Sequence, residues 1–149
     1  MGESVTELEA RLGHSFRDPG LLIRALTHPS FAHEHPPALH NEALAFLGDA
    51  VLGLVVAELL AARAPQDGAG PLTQRRAALV SSPSLAEWAV RIELPAHVRL
   101  GRGEEQGGGR GKESILATAF EAVLAGLYLD AGLDPVRRLV TRLVDAAEG

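Results

Sequence analysis

A chain of 149 residues, 46% of them apolar, can bury the core of one domain, and residues 1–149 are expected to form a single unit. It has no cysteine, which excludes disulfides and thiolate metal sites, and no uninterrupted apolar run reaches the ~18–20 residues of a membrane span. A net charge of −5 argues against a generic nucleic-acid binder, yet 13 of the 14 basic residues are Arg, which grips phosphate with two prongs, and only Lys112 is Lys. The polar, acidic start Met1-Gly2-Glu3-Ser4 is unlike a basic signal peptide, so a cytoplasmic location with no membrane partner is expected. There is no Gly-rich loop running into Lys and Ser or Thr, so no nucleoside triphosphate is expected either.

Helical spacing of Val5, Leu8 and Leu12 predicts a first helix over 5–11. Asp18 before Pro19 reads as an N-cap, and Leu21, Leu22, Ala25 and Leu26 form the apolar stripe of a second helix. Thr27-His28-Pro29-Ser30 ends that helix, and Pro36 and Pro37 make 33–39 a loop. From about Asn41 to Arg63 there is no Pro, which predicts the longest helix; Ala50 to Ala57 carries no polar side chain and should be buried on every face. After a Pro/Gly loop over 64–71, two short helices are expected over 72–80 and 84–92, the second capped by Ser84. Six Gly between Gly101 and Gly111 predict a flexible loop. A further long helix over 113–131 should stop at Gly132, and Asp134 should cap a last amphipathic helix with Val136, Leu139, Val140, Leu143 and Val144 on one side and Arg137, Arg138 and Arg142 on the other. No alternating strand pattern occurs, so the fold is read as all-α.

Two of these helices carry acids among apolar residues. Glu42, Ala45 and Asp49 stand at i, i+3 and i+7, within about 60° of one another around a helix. Thr118 and Glu121 are i, i+3 neighbours inside the apolar run 115–129. A carboxylate there is costly unless a cation or donors compensate it, and facing helices with such carboxylates assemble Mg²⁺ or Mn²⁺ sites. The alternative is that each acid meets an Arg or a helix N-terminus. His33, His35 and His40 with Glu34 allow a transition-metal site or an ordinary Pro-rich loop. Arg102, Arg110 and Lys112 flank the Gly-rich stretch and could follow an RNA backbone, or be balanced by Glu104 and Glu105 in a solvated loop.

His40-Asn41-Glu42-Ala43-Leu44-Ala45-Phe46-Leu47-Gly48-Asp49-Ala50-Val51-Leu52 resembles the ribonuclease III signature NERLEFLGDAVL. Four more stretches resemble that family in the same order. Ala25-Leu26-Thr27-His28-Pro29-Ser30-Phe31 is similar to ALTHxSY, and Leu72-Thr73 with Arg76-Ala77-Ala78-Leu79-Val80 to LxxxRAxLV. Leu100-Gly101-Arg102-Gly103-Glu104 is similar to LGxGE, and Lys112-Glu113-Ser114-Ile115-Leu116-Ala117 through Glu121-Ala122 to KxSILADxxEA. The resemblance implies the helical endonuclease-domain fold, a homodimer, and Mg²⁺-assisted attack of water on double-stranded RNA in RNA processing or ribosomal RNA metabolism. It carries the family's four acidic ligands onto positions 45, 49, 118 and 121. Asp49 and Glu121 are kept and would be catalytic and metal-binding residues; Ala45 and Thr118 are degenerate; Glu42 matches a further catalytic acid, and another falls on Ala69. Phe46 matches a residue that packs across the dimer interface, or is ordinary core. The double-stranded RNA-binding domain of typical bacterial members has no counterpart in residues 1–149.

Each lost ligand commonly costs ~10–100-fold in affinity or activity, so weak Mg²⁺ (or Mn²⁺) binding and impaired or lost hydrolysis are expected. Two alternatives stand beside that expectation: a surviving Mg²⁺- or Mn²⁺-dependent endoribonuclease, and a helical dimer that serves only as a protein-interaction module.

Overall fold

The computed structural model describes residues 2–148 and is all-α. The chain runs through α1 (Gly2–Leu12), α2 (Pro19–Leu26), α3 (Pro29–Glu34), α4 (Glu42–Arg63), α5 (Ala69–Leu79), α6 (Ser82–Arg91), α7 (Arg102–Gln106), α8 (Glu113–Ala131) and α9 (Leu133–Glu148). Tight 3₁₀ turns occupy Leu94–His97 and Gly109–Gly111.

α8 is the axis of the fold. Ile115, Leu116, Phe120, Val123, Leu124 and Leu127 are all buried, because α4, α6, α2 and α9 pack around it. A helix apolar on every face can satisfy itself only in such a central position. Phe120 meets Trp88 of α6 edge to face, with ring centroids 5.9 Å apart. The stripe of α9 lands as expected, with Val136, Leu139, Val140, Leu143 and Val144 buried. Ion pairs from Arg137 to Glu58 (2.8 Å) and from Arg63 to Asp145 (2.6 Å) tie α9 to α4.

α4 departs from expectation. The stretch 50–57 is not buried on every face: Leu54 is 52% exposed and Ala50 lies open, in line with Ala43 and Phe46 (83% exposed) in the turns before them. Spacings of three and four residues place these four on one helical edge that no other element covers. Although no unbroken apolar run has span length, α4 and α8 are each long and apolar enough by composition to cross a membrane; here they pack against each other.

Short elements account for the other differences. The segment read as a loop from residue 33 begins inside α3, which His28 caps by accepting from the Ser30 amide (3.0 Å). The loop before α5 is shorter than expected, ending at Gly68. Ser81 rather than Ser84 caps α6, its hydroxyl accepting from the Ser84 amide (3.4 Å). Asp134 lies inside the first turn of α9, where it pairs with Arg137 (3.1 Å), instead of capping it. The Gly-rich stretch is folded, not loose. Arg110 donates to the carbonyls of Pro95 (2.8 Å) and Val98 (2.7 Å) and pairs with Glu105, while Lys112 pairs with Glu104 (2.9 Å).

Candidate active site

The N-terminal half of α4 is anchored from behind. Asn41 is 2% exposed; its amide donates to the Thr27 carbonyl (2.9 Å) and its side chain to the Ala25 carbonyl (3.0 Å). Thr27 is buried as well, donating to the Ile23 carbonyl (2.6 Å) and accepting from Arg99 (3.1 Å). A backbone bridge between Thr27 and Arg99 completes the brace, and the Arg99 guanidinium lies 4.2 Å over the ring of Phe31.

Two turns further on, α4 meets α8 at Gly48. A Cβ at that position would stand 1.8 Å from the Glu121 carbonyl oxygen, so only a glycine allows the helices this close. The approach brings the side chains of Asp49 and Glu121 within hydrogen-bonding reach. Burial, followed by the hydrogen bond and the charge of Asp49, raises the Glu121 pKa to about 7. Below that pH Glu121 is protonated and can donate to Asp49. The two acids differ in setting: Glu121 is half-buried, whereas Asp49 lies exposed at the edge of α4, contrary to the expectation that both sit among apolar groups.

The other two positions supply no acid. Ala45 is 8% exposed and packed into the core, and Thr118 offers a half-buried hydroxyl one turn before Glu121. Among the described residues no group of three or more His, Asp or Glu converges as a metal cage. Glu42 does not join the pair. It is exposed on the first turn of α4, its carboxylate 3.9 Å from His40 and its charge felt by His28. The transition-metal alternative also fails to assemble. Glu34 accepts from the Arg102 amide (2.9 Å), His35 stacks on Phe31 (centroids 4.1 Å apart), and His40 stays beside Glu42. Of the three cations expected to follow RNA, Arg110 and Lys112 are committed to internal partners. Arg102 is exposed, and its side chain makes no ion pair or hydrogen bond among the described residues.

An open cleft of about 520 Å³ between α4 and α5 reaches Asp49 and is lined by Ala50, Gly53, Leu54, Arg76 and Val80. Arg76 belongs to a stretch the sequence marked only by resemblance, without a role. A surface depression of about 1030 Å³ among α1, α6 and α9 contains neither Asp49 nor Glu121.

Known proteins agree with this architecture. A family model described as Ribonuclease-III-like matches residues 18–146. Ribonuclease 3 of Heliobacterium modesticaldum is 50% identical over 139 residues, covering 92% of this chain and 59% of that protein. The Streptomyces coelicolor enzyme of the same name is 51% identical over 142 residues, covering 95% and 51%. The chain therefore spans only about half to three-fifths of the length of these relatives. Among solved structures, the nuclease domain of ribonuclease III from Campylobacter jejuni superposes with a TM-score of 0.87 at 41% identity, covering 94% of this chain and 95% of that one. Dicer from Pichia stipitis shares the fold at a TM-score of 0.62 and 24% identity, over 90% of this chain and 59% of that one.

Proposed function

Because this chain belongs to the ribonuclease III family, we propose that it engages double-stranded RNA as a homodimer, with phosphodiester hydrolysis weakened by the loss of two carboxylates. The observation that carries this reading is the α4–α8 contact at Gly48, where Asp49 and Glu121 meet while Ala45 and Thr118 leave the adjoining positions without an acid.

Two carboxylates and a hydroxyl suit one Mg²⁺ or Mn²⁺ whose remaining positions are filled by water. Asp49 and Glu121 would hold that ion. When bound, it lowers the pKa of a coordinated water and offsets charge on the leaving oxygen. Glu121 must release its proton first, so ion affinity rises as pH climbs through about 7. Arg76, exposed in the cleft that reaches Asp49, and the exposed Arg102 would meet phosphates.

The uncovered edge of α4 supports the dimer. Phe46, Ala50 and Leu54 form a stripe that a second copy buries by two-fold pairing, each Phe46 meeting the other protomer. The Campylobacter jejuni relative has been described in terms of a region involved in dimer formation. Ribosomal RNA metabolism in the cytoplasm is the setting that this family membership favours.

Survival of the Asp49–Glu121 pair favours, as a second reading, a working Mg²⁺- or Mn²⁺-dependent endoribonuclease. Purified protein incubated with a labelled RNA hairpin and Mn²⁺ separates the two. Binding without discrete products supports the weakened site, with cleavage restored by Ala45→Glu combined with Thr118→Asp. Products abolished by Glu121→Ala establish the second reading. No duplex binding even at low salt leaves only a dimer that docks other proteins.

A further inference from the structure

The stretch Ala25 to Phe31 holds a histidine that neither the carboxylate pair nor the dimer edge uses. His28 Nδ1 accepts from the Ser30 amide (3.0 Å) and lies 2.8 Å from the Ser30 hydroxyl oxygen. That hydroxyl is free to donate because its oxygen accepts from the Gly101 amide (2.8 Å). The relay depends on close packing: a Cβ on Gly101 would stand 2.6 Å from the Ser30 carbonyl oxygen and from a Glu34 carboxylate oxygen. A neutral imidazole whose Nδ1 accepts from an amide carries its proton on Nε2. The tautomer and ring orientation are thus set by α3 and the loop before α7. Nε2–H itself has no hydrogen-bond partner among the described residues.

The surroundings define what this donor can recognise. The charged and titratable groups that His28 feels are Glu104, Glu42, Lys112 and His40. Burial is the dominant influence and lowers its pKa, so the ring is a neutral donor at physiological pH. Glu104 is committed to Lys112 (2.9 Å), which leaves Glu42, 69% exposed, as the other carboxylate whose charge reaches the ring; the Asn41 amide, donating to the Thr27 carbonyl (2.9 Å), holds the start of α4 against this stretch. A phosphate would be repelled by the Glu42 carboxylate. A hydroxyl suits the pair, because it accepts from Nε2–H while donating to a carboxylate.

We propose that His28 and Glu42 form a contact site for a ribose 2′-hydroxyl of duplex RNA. The inference rests on the reading of this chain as an RNA-binding protein. Such hydroxyls line the shallow minor groove of an A-form helix, where shape-reading proteins find them. Glu42 and Asp49 are seven residues apart on one face of α4, about 10 Å along the helix axis, so a backbone passing one also passes the other. On this account Glu42 helps distinguish RNA from DNA and is not an ion ligand.

The test compares binding to a duplex RNA with binding to the same duplex carrying 2′-fluoro groups along both strands, without divalent ions, by fluorescence anisotropy. The wild-type protein should prefer the ribose duplex. His28→Asn keeps an acceptor for the Ser30 amide but removes the distal donor. It should lower affinity for the ribose duplex about 3- to 10-fold, the effect of one hydrogen bond, and leave the 2′-fluoro duplex unchanged. Glu42→Gln, on an exposed side chain that folding does not need, should narrow the same preference. Equal loss on both duplexes, or no loss on either, overturns the proposal, as does a wild-type protein that binds the two duplexes alike. Failure of the wild-type protein to bind either duplex sinks the RNA-binding reading itself, before any variant is made.

Discussion

Replacing Gly48 by Ala perturbs the one contact on which the carboxylate pair depends. The added methyl would stand 1.8 Å from the Glu121 carbonyl oxygen, whereas real Cβ contacts essentially never fall below 3.0 Å. The helices must therefore part locally by at least 3.0 − 1.8 = 1.2 Å. The obstacle is helix backbone on both sides, so neither partner can swing aside as a flexible side chain would. Overpacking costs typically ~1–3 kcal/mol, and a rigid contact of this kind belongs at the upper end. For a chain of this size about 3 kcal/mol corresponds to a fall in Tm of roughly 6–12 °C. Parting the helices also loosens the hydrogen bond and charge coupling from Asp49, so the Glu121 pKa should drop from about 7 toward its ordinary 4.5. If the chain cleaves RNA, a ~1 Å misplacement of a reacting group costs on the order of 100-fold in rate. Thermal melts and a ¹³C carboxyl NMR titration read the first two effects. A Gly48→Ala protein that melts with the wild type and still titrates Glu121 near 7 would refute the argument.

Other expectations follow from the same structure. Glu121 has a folded pKa raised above its unfolded value, so the folded state binds the extra proton and stability should decline as pH rises from about 4.5 through 7. Glu121→Gln should remove that slope and stabilise the protein at pH 8 by about 2–3 kcal/mol, measured by urea unfolding across pH; parallel curves for the two proteins would contradict it. Phe46 is 83% exposed, and burying it in a dimer would contribute about 3–4 kcal/mol per protomer. Phe46→Asp should therefore weaken association by at least ~100-fold in sedimentation experiments, and an unchanged dimer would remove α4 from the interface. Asp130 is buried, which pushes its pKa up, but donors from the Arg17 amide (2.9 Å), His14 (2.7 Å) and the Asp18 amide (3.0 Å) more than offset this and hold it below the usual range. Its contribution is present above the unfolded pKa and lost as pH falls through the folded one. Asp130→Asn should cost about 1.5–3 kcal/mol near neutrality and progressively less in acid, seen as converging melts.

Much of this organisation could be read from residue order. Regular spacing over several turns located α1, α2, α4, α8 and α9, since a long amphipathic or apolar stretch repeats its signal many times. α3 and α7 were missed because six or five residues give barely one repeat, and because Pro29, Gly101 and Gly103 are ambiguous between helix start and loop. The positions of Asp49, Glu121, Ala45 and Thr118 on two helices were also legible, as was the shortage of acids. Balance of Arg110 and Lys112 by Glu105 and Glu104 was one of two open alternatives; what residue order did not show is that the stretch is folded, with Arg110 also reaching the Pro95 and Val98 carbonyls, because those partners come from a separate turn.

What the sequence determined by itself is the chemistry available: which helices form, which carry acids, and which ligand positions lack one. Tertiary packing decided how that chemistry is arranged. It left the apolar edge of α4 uncovered, and it separated Glu42 from Asp49 and Glu121. It also pressed α4 onto α8 at Gly48, which half-buries Glu121 near Asp49 and raises its pKa to about 7. Helical periodicity is a property of neighbours along the chain, whereas burial, pKa and contact distance depend on whatever the fold brings from elsewhere, and that distinction is the physical reason for the division.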